Sequence, residues 1–473
     1  MRSRRVVVMG AGVAGLAAAL LLARDGHRVT LVERDDLLLG EPGDALRWPR
    51  SGIPHFLQPH AFIPRGRSEL RRHFPDVLAA LLRAGAHEVD TRPKLPGGAR
   101  EDDEELQYLA VRRPVIEWAL RQACFAEPGV VVVAPARVEG LVRERGRLVG
   151  VRVEGASIEA DVVIDALGRR TPAPRWLRDA GVDVGMVSSD CHVVYYSRYY
   201  RVRRGFELPD GPWFLSPRGD LGYFGFATFP GDNGTFAALL AVPSRVPDWR
   251  ALKDEAAFEA AVALIPQLRQ WVDPDGVEPL TGVMPMAGLR NSLLLHDAAA
   301  MPAMPAVLPV GDAYGHTDPV LAHGLAFGLV HAAELAAALA THDDMADALP
   351  AYVDATAPAL RERYELATEL DAQRHRMWLG EPVDLAHRDG DHALFTMTAA
   401  GVAATVDPDV ARAFLRRIGL LDGTAVLDAD IALQRRIEGI FADLVTRPRP
   451  PAGPPREEML AAVARAVPAP AVG

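Results

Sequence analysis

Apolar positions along this chain follow two periods, and the change from one to the other marks out its parts. Residues 6–9 are a short β-branched run, "LAAALLLARDG" is a run of helix formers closed by Gly26, and "RVTLVE" is β-branched again. Strand, helix and strand are predicted in that order. The stretch 85–105, rich in proline, glycine and charge, reads as a loop. The strand "LQYLAV" and the helix "RRPVIEWALRQACF", with Pro114 at its first position, follow it. "VVVVAPARVEGLVRERGRLVGVRVEG" then reads as short β-runs with turns at Gly146 and Gly155. "ADVVIDALGRRTPAPRWL" reads as an apolar strand that runs into Asp165, Gly168 and two arginines. From Cys191 to about Met286 period-two alternation dominates, as in "HVVYYSRYYRVRRG" and "WFLSPRGDLGYFGFATF". After Gly311 the composition turns helical, with "LAFGLVHAAELAAALATH" and "PALRERYELATELDAQRHRMW". The end is helical too, apart from "TRPRPPAGPP", which reads as a flexible connector or tail. No internal repeat is present.

Composition narrows the class. At 473 residues the chain exceeds one ordinary core, and 49% hydrophobic with 24% charged residues is a globular balance. A net charge of −10 disfavours nucleic acid and anionic lipid, and "RSRR" at 2–5 is too short to reverse it. Two cysteines, Cys124 and Cys191, build neither a disulfide framework nor a thiolate metal site, which fits a reducing cytoplasm. "VVVMGAGVAGLAAALLLA" has the charge-then-apolar order of a signal peptide, but three glycines interrupt it and a second strand follows. No other stretch reads as long and apolar enough to span a membrane.

Those glycines carry the first chemistry. Gly10, Gly12 and Gly15 form G-x-G-x-x-G between strand and helix, and Glu33 ends the next strand. The first glycine permits the turn, the second admits a pyrophosphate, the third lets helix and strand approach, and the acid suits ribose hydroxyls. An adenine dinucleotide is expected, and the motif does not choose between FAD and NAD. "GDAYGHTDPVLAHG" is the second dense stretch. His316, Asp318 and His323 are metal-ligand residue types, yet zinc or iron would leave the glycines and Pro319 of that stretch unexplained.

The order GAGVAG with Glu33, RRPVIEWALR, DALGRR, a β-rich segment and PVGDAYGHTDP resembles the FAD-dependent monooxygenases of the para-hydroxybenzoate hydroxylase fold. It is most similar to a bacterial branch that includes polyether epoxidases and lies near the flavin-dependent halogenases. The resemblance runs over four motifs between about residues 5 and 340. It implies an α/β fold: a Rossmann-type FAD-binding domain with an inserted β-sheet substrate domain and a helical C-terminal region. The division it implies is 1–185 for the first FAD-binding part, with a substrate-side excursion at about 45–105, then 186–286 for the substrate domain. The second FAD-binding part is 287–345, and 346–473 is the helical region with its Pro-rich tail.

By the same resemblance, Asp312 after Gly311 binds a ribityl hydroxyl of FAD. Pro319 and Gly324 belong to a P-x-x-G-x-G pattern at a helix start beside the flavin, and Ala322 stands for its first glycine. Arg113 reaches the phosphate or ribityl region, with Arg112 as the competing choice. Asp165 and Gly168 come from a D-A-T-G-R pattern beside the cofactor, where Asp165 reads equally as a strand-end acid capping a turn. His60, in "GIPHFLQPH" where the branch has G-V-P-Q-x-x-H-x-H, and His323 are the candidate catalytic residues. Tyr195 and Tyr199 on one face of a strand, and Tyr196 and Arg198 on the other, are the candidates for the substrate pocket. No metal is expected.

The implied activity is hydroxylation or epoxidation of a small organic substrate, of natural-product type, with NAD(P)H and O₂. A separate flavin reductase is an alternative source of electrons. The rivals are an FAD-dependent oxidase, reductase or dehydrogenase on the same scaffold, and a flavoprotein-like binding partner without chemistry. The tryptophan-rich W-x-W-x-I-P segment of halogenases is absent.

Overall fold

A computed structural model describes residues 3–37, 40–48, 50–145, 147–182, 184–209, 217–295, 306–447 and 452–467. The chain opens as β1 (Arg5–Met9), α1 (Val13–Arg24) and β2 (Arg28–Val32), as its apolar pattern predicts. α2 (Arg113–Ala126), β3 (Val130–Val133) and β4 (Val162–Asp165) follow. The stretch read as a loop holds a strand, His87–Asp90, paired antiparallel with Gln107–Ala110. Four residues are too few for alternation to show it. The turn at Gly146 lies outside the described residues.

β5 (Val193–Val202), β6 (Arg218–Asp220), β7 (Gly225–Pro230) and β8 (Thr235–Pro243) form the β-rich part. α3 (Glu255–Ala263) interrupts it before β9 (Val277–Pro279) and β10 (Met284–Met286). The strand-like reading of that whole stretch is thus corrected. Asp254 caps α3 by accepting from the Ala256 and Ala257 amides, and "EAAFEAAVA" is helix-forming. The sheet order is β6-β7-β8-β5-β9, with β10 also on β5, and every pairing is antiparallel. α3 covers one face through Phe258 and Val262 against Tyr196, Tyr200 and Phe236. The other face is left for the site.

The chain returns to the first layer as β11 (Val307–Pro309) and α4 (Gly324–Thr341). That sheet is parallel throughout, in the order β11-β4-β1-β2-β3. It is buried on both faces, which is why 6–9 is an unbroken apolar run. α1 and α4 pack so closely that a Cβ on Gly328 would stand 3.2 Å from the Ala14 Cβ. α4 is long and apolar enough to cross a membrane, which corrects the expectation that no other stretch is. Two-thirds of it is buried inside the protein. α5 (Met345–Trp378), α6 (Pro408–Ile418) and α7 (Ile431–Thr446) build the helical region. α8 (Arg456–Ala466) then docks Met459 and Val463 into the core beneath α3. Of the Pro-rich stretch, 448–451 lies outside the described residues, and the Pro454 carbonyl accepts from the Tyr223 hydroxyl at 2.6 Å.

Candidate functional site

The three glycines after β1 have different reasons to be glycine. Gly10 has φ +102°, and a Cβ there would stand 2.6 Å from the Ala166 carbonyl oxygen. A Cβ on Gly15 would stand 2.0 Å from the Gly10 carbonyl oxygen. Those two are required by the packing of the protein itself. Gly12 has extended backbone, and its Cβ would meet only the tip of Ile53 at 3.9 Å, so it faces open cavity. Glu33 ends β2 beside this turn and accepts from the Ala11 amide at 2.7 Å. Arg50, which the sequence reading missed, reaches the same place. It donates to the Ala11 carbonyl at 3.1 Å and lies 3.4 Å from Glu33. Burial works against its charge, and Glu117, Glu33 and Asp35 outweigh it. No local pattern marks an arginine in a loop for such a role.

The second motif comes to the same cavity. Gly311 has φ +57° and donates its amide to His331 Nδ1 at 3.1 Å, which fixes the turn that carries Asp312. A Cβ on Gly324 would stand 3.7 Å from the Asp312 carboxylate, so the start of α4 and this acid face each other. Ala322, where the resembled pattern has glycine, is in the left-handed region at φ +56°. Asp318 is buried and fully engaged. Tyr195 Oη donates to it at 2.5 Å, Arg374 Nη2 at 2.5 Å, and the Val320 amide at 3.1 Å. Burial opposes its charge, but Arg374 and the hydrogen bonds hold its carboxyl below the usual range. Burial and the charge of Asp318 push its neighbour Asp371 up. His316 Nδ1 sits 3.2 Å from the Asp312 carbonyl oxygen, and His323 is buried against the start of α4. Among the described residues no three metal-ligating side chains converge.

Arg113 lines the cavity while Nε and Nη2 hold Glu117 at 3.1 Å. Arg112 points elsewhere, into a buried pair with Asp232 at 2.5 Å. Gly168 lines the cavity, but Asp165 does not. Asp165 is buried, accepts from the Leu167 amide and the Thr171 hydroxyl, and is pushed up to about 6 by burial. It caps a turn, and the reading of direct contact with a ligand is corrected. His60 lines the cavity with Nδ1 2.7 Å from the Gln58 carbonyl oxygen. Burial and Arg113 push its pKa down to about 3, so the ring is neutral, donates to that carbonyl and keeps Nε2 as an acceptor. His323 is held neutral by burial and by Arg363 and Arg417.

The β-sheet forms the facing wall. Tyr195, Ser197 and Tyr199 share the face of β5 that meets the loop around Gln58, where the Ser197 hydroxyl donates to Gln58 Oε1 at 2.9 Å. Tyr195 lines the cavity with Leu239, Ala241 and Met286 from neighbouring strands. Tyr199 packs beneath Gln58 and is not in the lining. Tyr196 and Arg198 lie on the opposite face, where Tyr196 joins the core under α3 and Arg198 pairs with Glu255 and Glu259. Three of the four pocket candidates are therefore corrected: Tyr196 and Arg198 because a strand has only one face toward any cavity, and Tyr199 because, on the Tyr195 face, it lies against Gln58.

The cavity that joins Gly12, Glu33, Arg113, Asp312, Gly324, His60 and Tyr195 has a volume of about 2000 Å³. Sites for one drug-sized molecule hold about 300–1,000 Å³, so an extended dinucleotide and a second molecule both have room. The open space at Gly12, the acids Glu33 and Asp312, and the N-terminus of α4 are the chemistry that FAD needs from a protein.

Comparison with known proteins agrees. The family described as FAD dependent oxidoreductase matches residues 5–169. "Protein Rv3254" of Mycobacterium tuberculosis is 27% identical over 455 residues, 88% of this chain and 89% of that protein. Kynurenine 3-monooxygenase of Salinispora arenicola is 32% identical over 182 residues, 35% of this chain and 36% of that enzyme. The flavoprotein/dehydrogenase structure from Cytophaga hutchinsonii superposes with a TM-score of 0.63 at 15% identity, covering 94% of this chain and 100% of that one. The flavin-dependent brominase Bmp2 gives a TM-score of 0.59 at 16% identity, covering 94% and 98%. The FAD dependent oxidoreductase family is thus matched over the N-terminal third of the chain, and the fold of the chain is shared with flavoproteins over nearly its whole length.

Proposed function

We propose that this oxidoreductase is a monooxygenase, and the observation that carries the reading is the continuity of the cavity. Space runs from Gly12 past Asp312 and Gly324 to the β-sheet wall at Tyr195, Leu239 and Met286. A cofactor extended along the first part leaves the second for a substrate. When bound, FAD supplies electron transfer and O₂ activation, chemistry the protein's own side chains lack.

The residues present provide binding, orientation and a dry wall. Gly12 keeps the floor open, Glu33 and Asp312 offer carboxylate acceptors to sugar and ribityl hydroxyls, and Gly324 opens the positive end of α4 onto the cavity. Tyr195 spends its only proton on Asp318, so its oxygen has only acceptor capacity left. His60 offers a second neutral acceptor. Leu239, Ala241 and Met286 exclude water from the substrate end. The name of the kynurenine enzyme, similar over the N-terminal third, supports oxygen transfer in place of simple dehydrogenation. NAD(P)H as electron donor and a small organic substrate complete the proposal, with a separate reductase as the alternative donor.

The test is purification followed by reductant oxidation. The protein is expected to be yellow, and NAD(P)H oxidation, alone or through an added flavin reductase, is expected to consume O₂ and to rise with substrate from a panel of aromatic and polyene compounds. Turnover that continues without O₂ once an electron acceptor is supplied would identify a dehydrogenase. A colourless protein that does not take up FAD would favour the non-catalytic reading.

A further inference from the structure

Of the carboxylates that line the cavity, three form ion pairs, whereas Asp312 and Asp220 stand only in the field of cations, Asp220 in that of Arg374. Glu33 meets Arg50, Asp318 meets Arg374, Glu139 meets Arg152, and Asp312 stands in the field of Arg169 and His316. Asp220 on β6 accepts only from neutral donors, Trp378 Nε1 at 2.9 and 3.0 Å and the Gly222 amide at 2.7 Å. Among the described residues it forms no ion pair. Arg374 stacks on the same indole at 5.0 Å and is committed to Asp318 and Asp371. Arg218, two residues earlier on the same face of β6, has Tyr108 as its electrostatic neighbour.

The register shows how Asp220 comes to face the cavity. Asp220 pairs with Gly225, Gly225 with Ala241, and Ala241 with Tyr195, so these four lie in one row on one face of the sheet. All four line the cavity. Three strand spacings of about 4.8 Å separate the ends of the row, a width that suits one small molecule. A Cβ on Gly225 would stand 3.5 Å from the Trp378 indole, which packs over this row with its N–H toward Asp220. The site is thus a carboxylate at the edge of an aromatic ring, oriented by two fixed donors.

We propose that Asp220 is a recognition carboxylate for a protonated amine, so that the molecule this cavity takes carries a cationic nitrogen at its β6 end. This deepens the reading of the cavity as a substrate site and rests on it. A carboxylate held in place by two neutral donors offers a cation a charged hydrogen bond. Desolvation in the cavity outweighs the two hydrogen bonds and the charge of Arg374 and raises the Asp220 pKa to about 6, the direction that an arriving ammonium reverses.

The experiment is calorimetric titration of the purified flavoprotein at pH 8 with two probes of one shape, benzylamine and benzyl alcohol, with FAD content read from absorbance in every sample. Benzylamine is expected to bind at least tenfold more tightly than the alcohol. Asp220→Asn is expected to lower benzylamine affinity tenfold to a hundredfold and leave the alcohol unchanged. Trp378→Phe keeps the carboxylate and is expected to keep the preference, whereas a purely structural role would make the two variants alike. Should Asp220→Asn fail to fold by circular dichroism, the wild-type protein decides: its preference for the amine must decline as pH falls below about 6. Equal affinity for both probes, a preference that survives Asp220→Asn, or a preference unchanged down to pH 5 overturns the proposal. Protein that holds no FAD yet prefers the amine overturns the monooxygenase reading alone.

Discussion

At the scale of the residue, Gly12 separates a ligand's demand from the fold's. Gly10 and Gly15 are glycine because the protein's own carbonyls crowd them, whereas nothing of the protein crowds Gly12, which opens onto the cavity proposed to hold FAD. Gly12→Val is therefore expected to fold with an unchanged circular dichroism spectrum and to lose FAD, measured by flavin fluorescence on titration. Retained FAD occupancy would mean the cofactor site is elsewhere. Asp312→Ala removes a charged acceptor worth about 1.5–3 kcal/mol, so FAD affinity should fall roughly tenfold to a hundredfold in a folded protein. Ala322 is strained at φ +56°, and Ala322→Gly should raise the unfolding free energy by up to about 1 kcal/mol. A loss of stability in that variant would show that the methyl group packs to more effect than the strain costs.

At the scale of the element, α5 ties the loop after Gly311 to the β-sheet. Asp371, Arg374 and Trp378 recur at three- and four-residue steps and so share one side of the helix. Arg374 joins that side to Asp318 in the loop, and Trp378 joins it to Asp220 on β6. Arg374→Met would leave the buried Asp318 carboxylate without its cation, a loss of about 3–5 kcal/mol. Arg198→Met is the comparison, because Glu255 and Glu259 are 57% and 36% exposed and such pairs contribute about 0–1 kcal/mol. Chemical denaturation of both should show the first loss clearly exceeding the second, and equal losses would remove the anchoring role from Arg374. Asp318 was legible as a ligand-type residue in a dense motif. Its partners stand 56 and 123 positions away, and no spacing rule connects them.

At the scale of the whole molecule, buried histidines set the response to acid. His60 and His331 both have pKa values pushed down to about 3 by burial, from an unfolded value near 6.5. The folded protein then binds fewer protons than the unfolded chain between these values, so stability is full above about pH 6.5 and is lost as pH falls toward 3. Asp165 and Asp220, raised to about 6, and Asp371, raised further, act in the opposite sense over part of that range, while His55 and His323, lowered by burial, act with His60 and His331. His331→Gln keeps an acceptor for the Gly311 amide but does not titrate. Between pH 6 and 4 its unfolding free energy should change with pH less steeply than the wild type's, by on the order of one proton. An unchanged slope would place the linked protons on other groups.

The sequence by itself determined the parallel layer, the glycine turn and the second motif, because each depends on neighbours within a few residues. An apolar run, a turn glycine and a helix former act locally, and their order along the chain is their order in β1, α1 and β2. It also separated Tyr195 from Tyr196, since alternation is a property of the strand alone. Tertiary structure decided which of the two faces the cavity, because α3, more than fifty residues later, covers one side of the sheet. It assigned Asp165 to a turn, Arg112 to Asp232 and Arg113 to the cavity, choices made by packing between distant segments. It brought Arg50 beneath the glycine turn and Trp378 beside Asp220, where no local signal pointed. Hydrogen bonds and burial at a site are made by whatever the fold brings together, and only the folded chain specifies that.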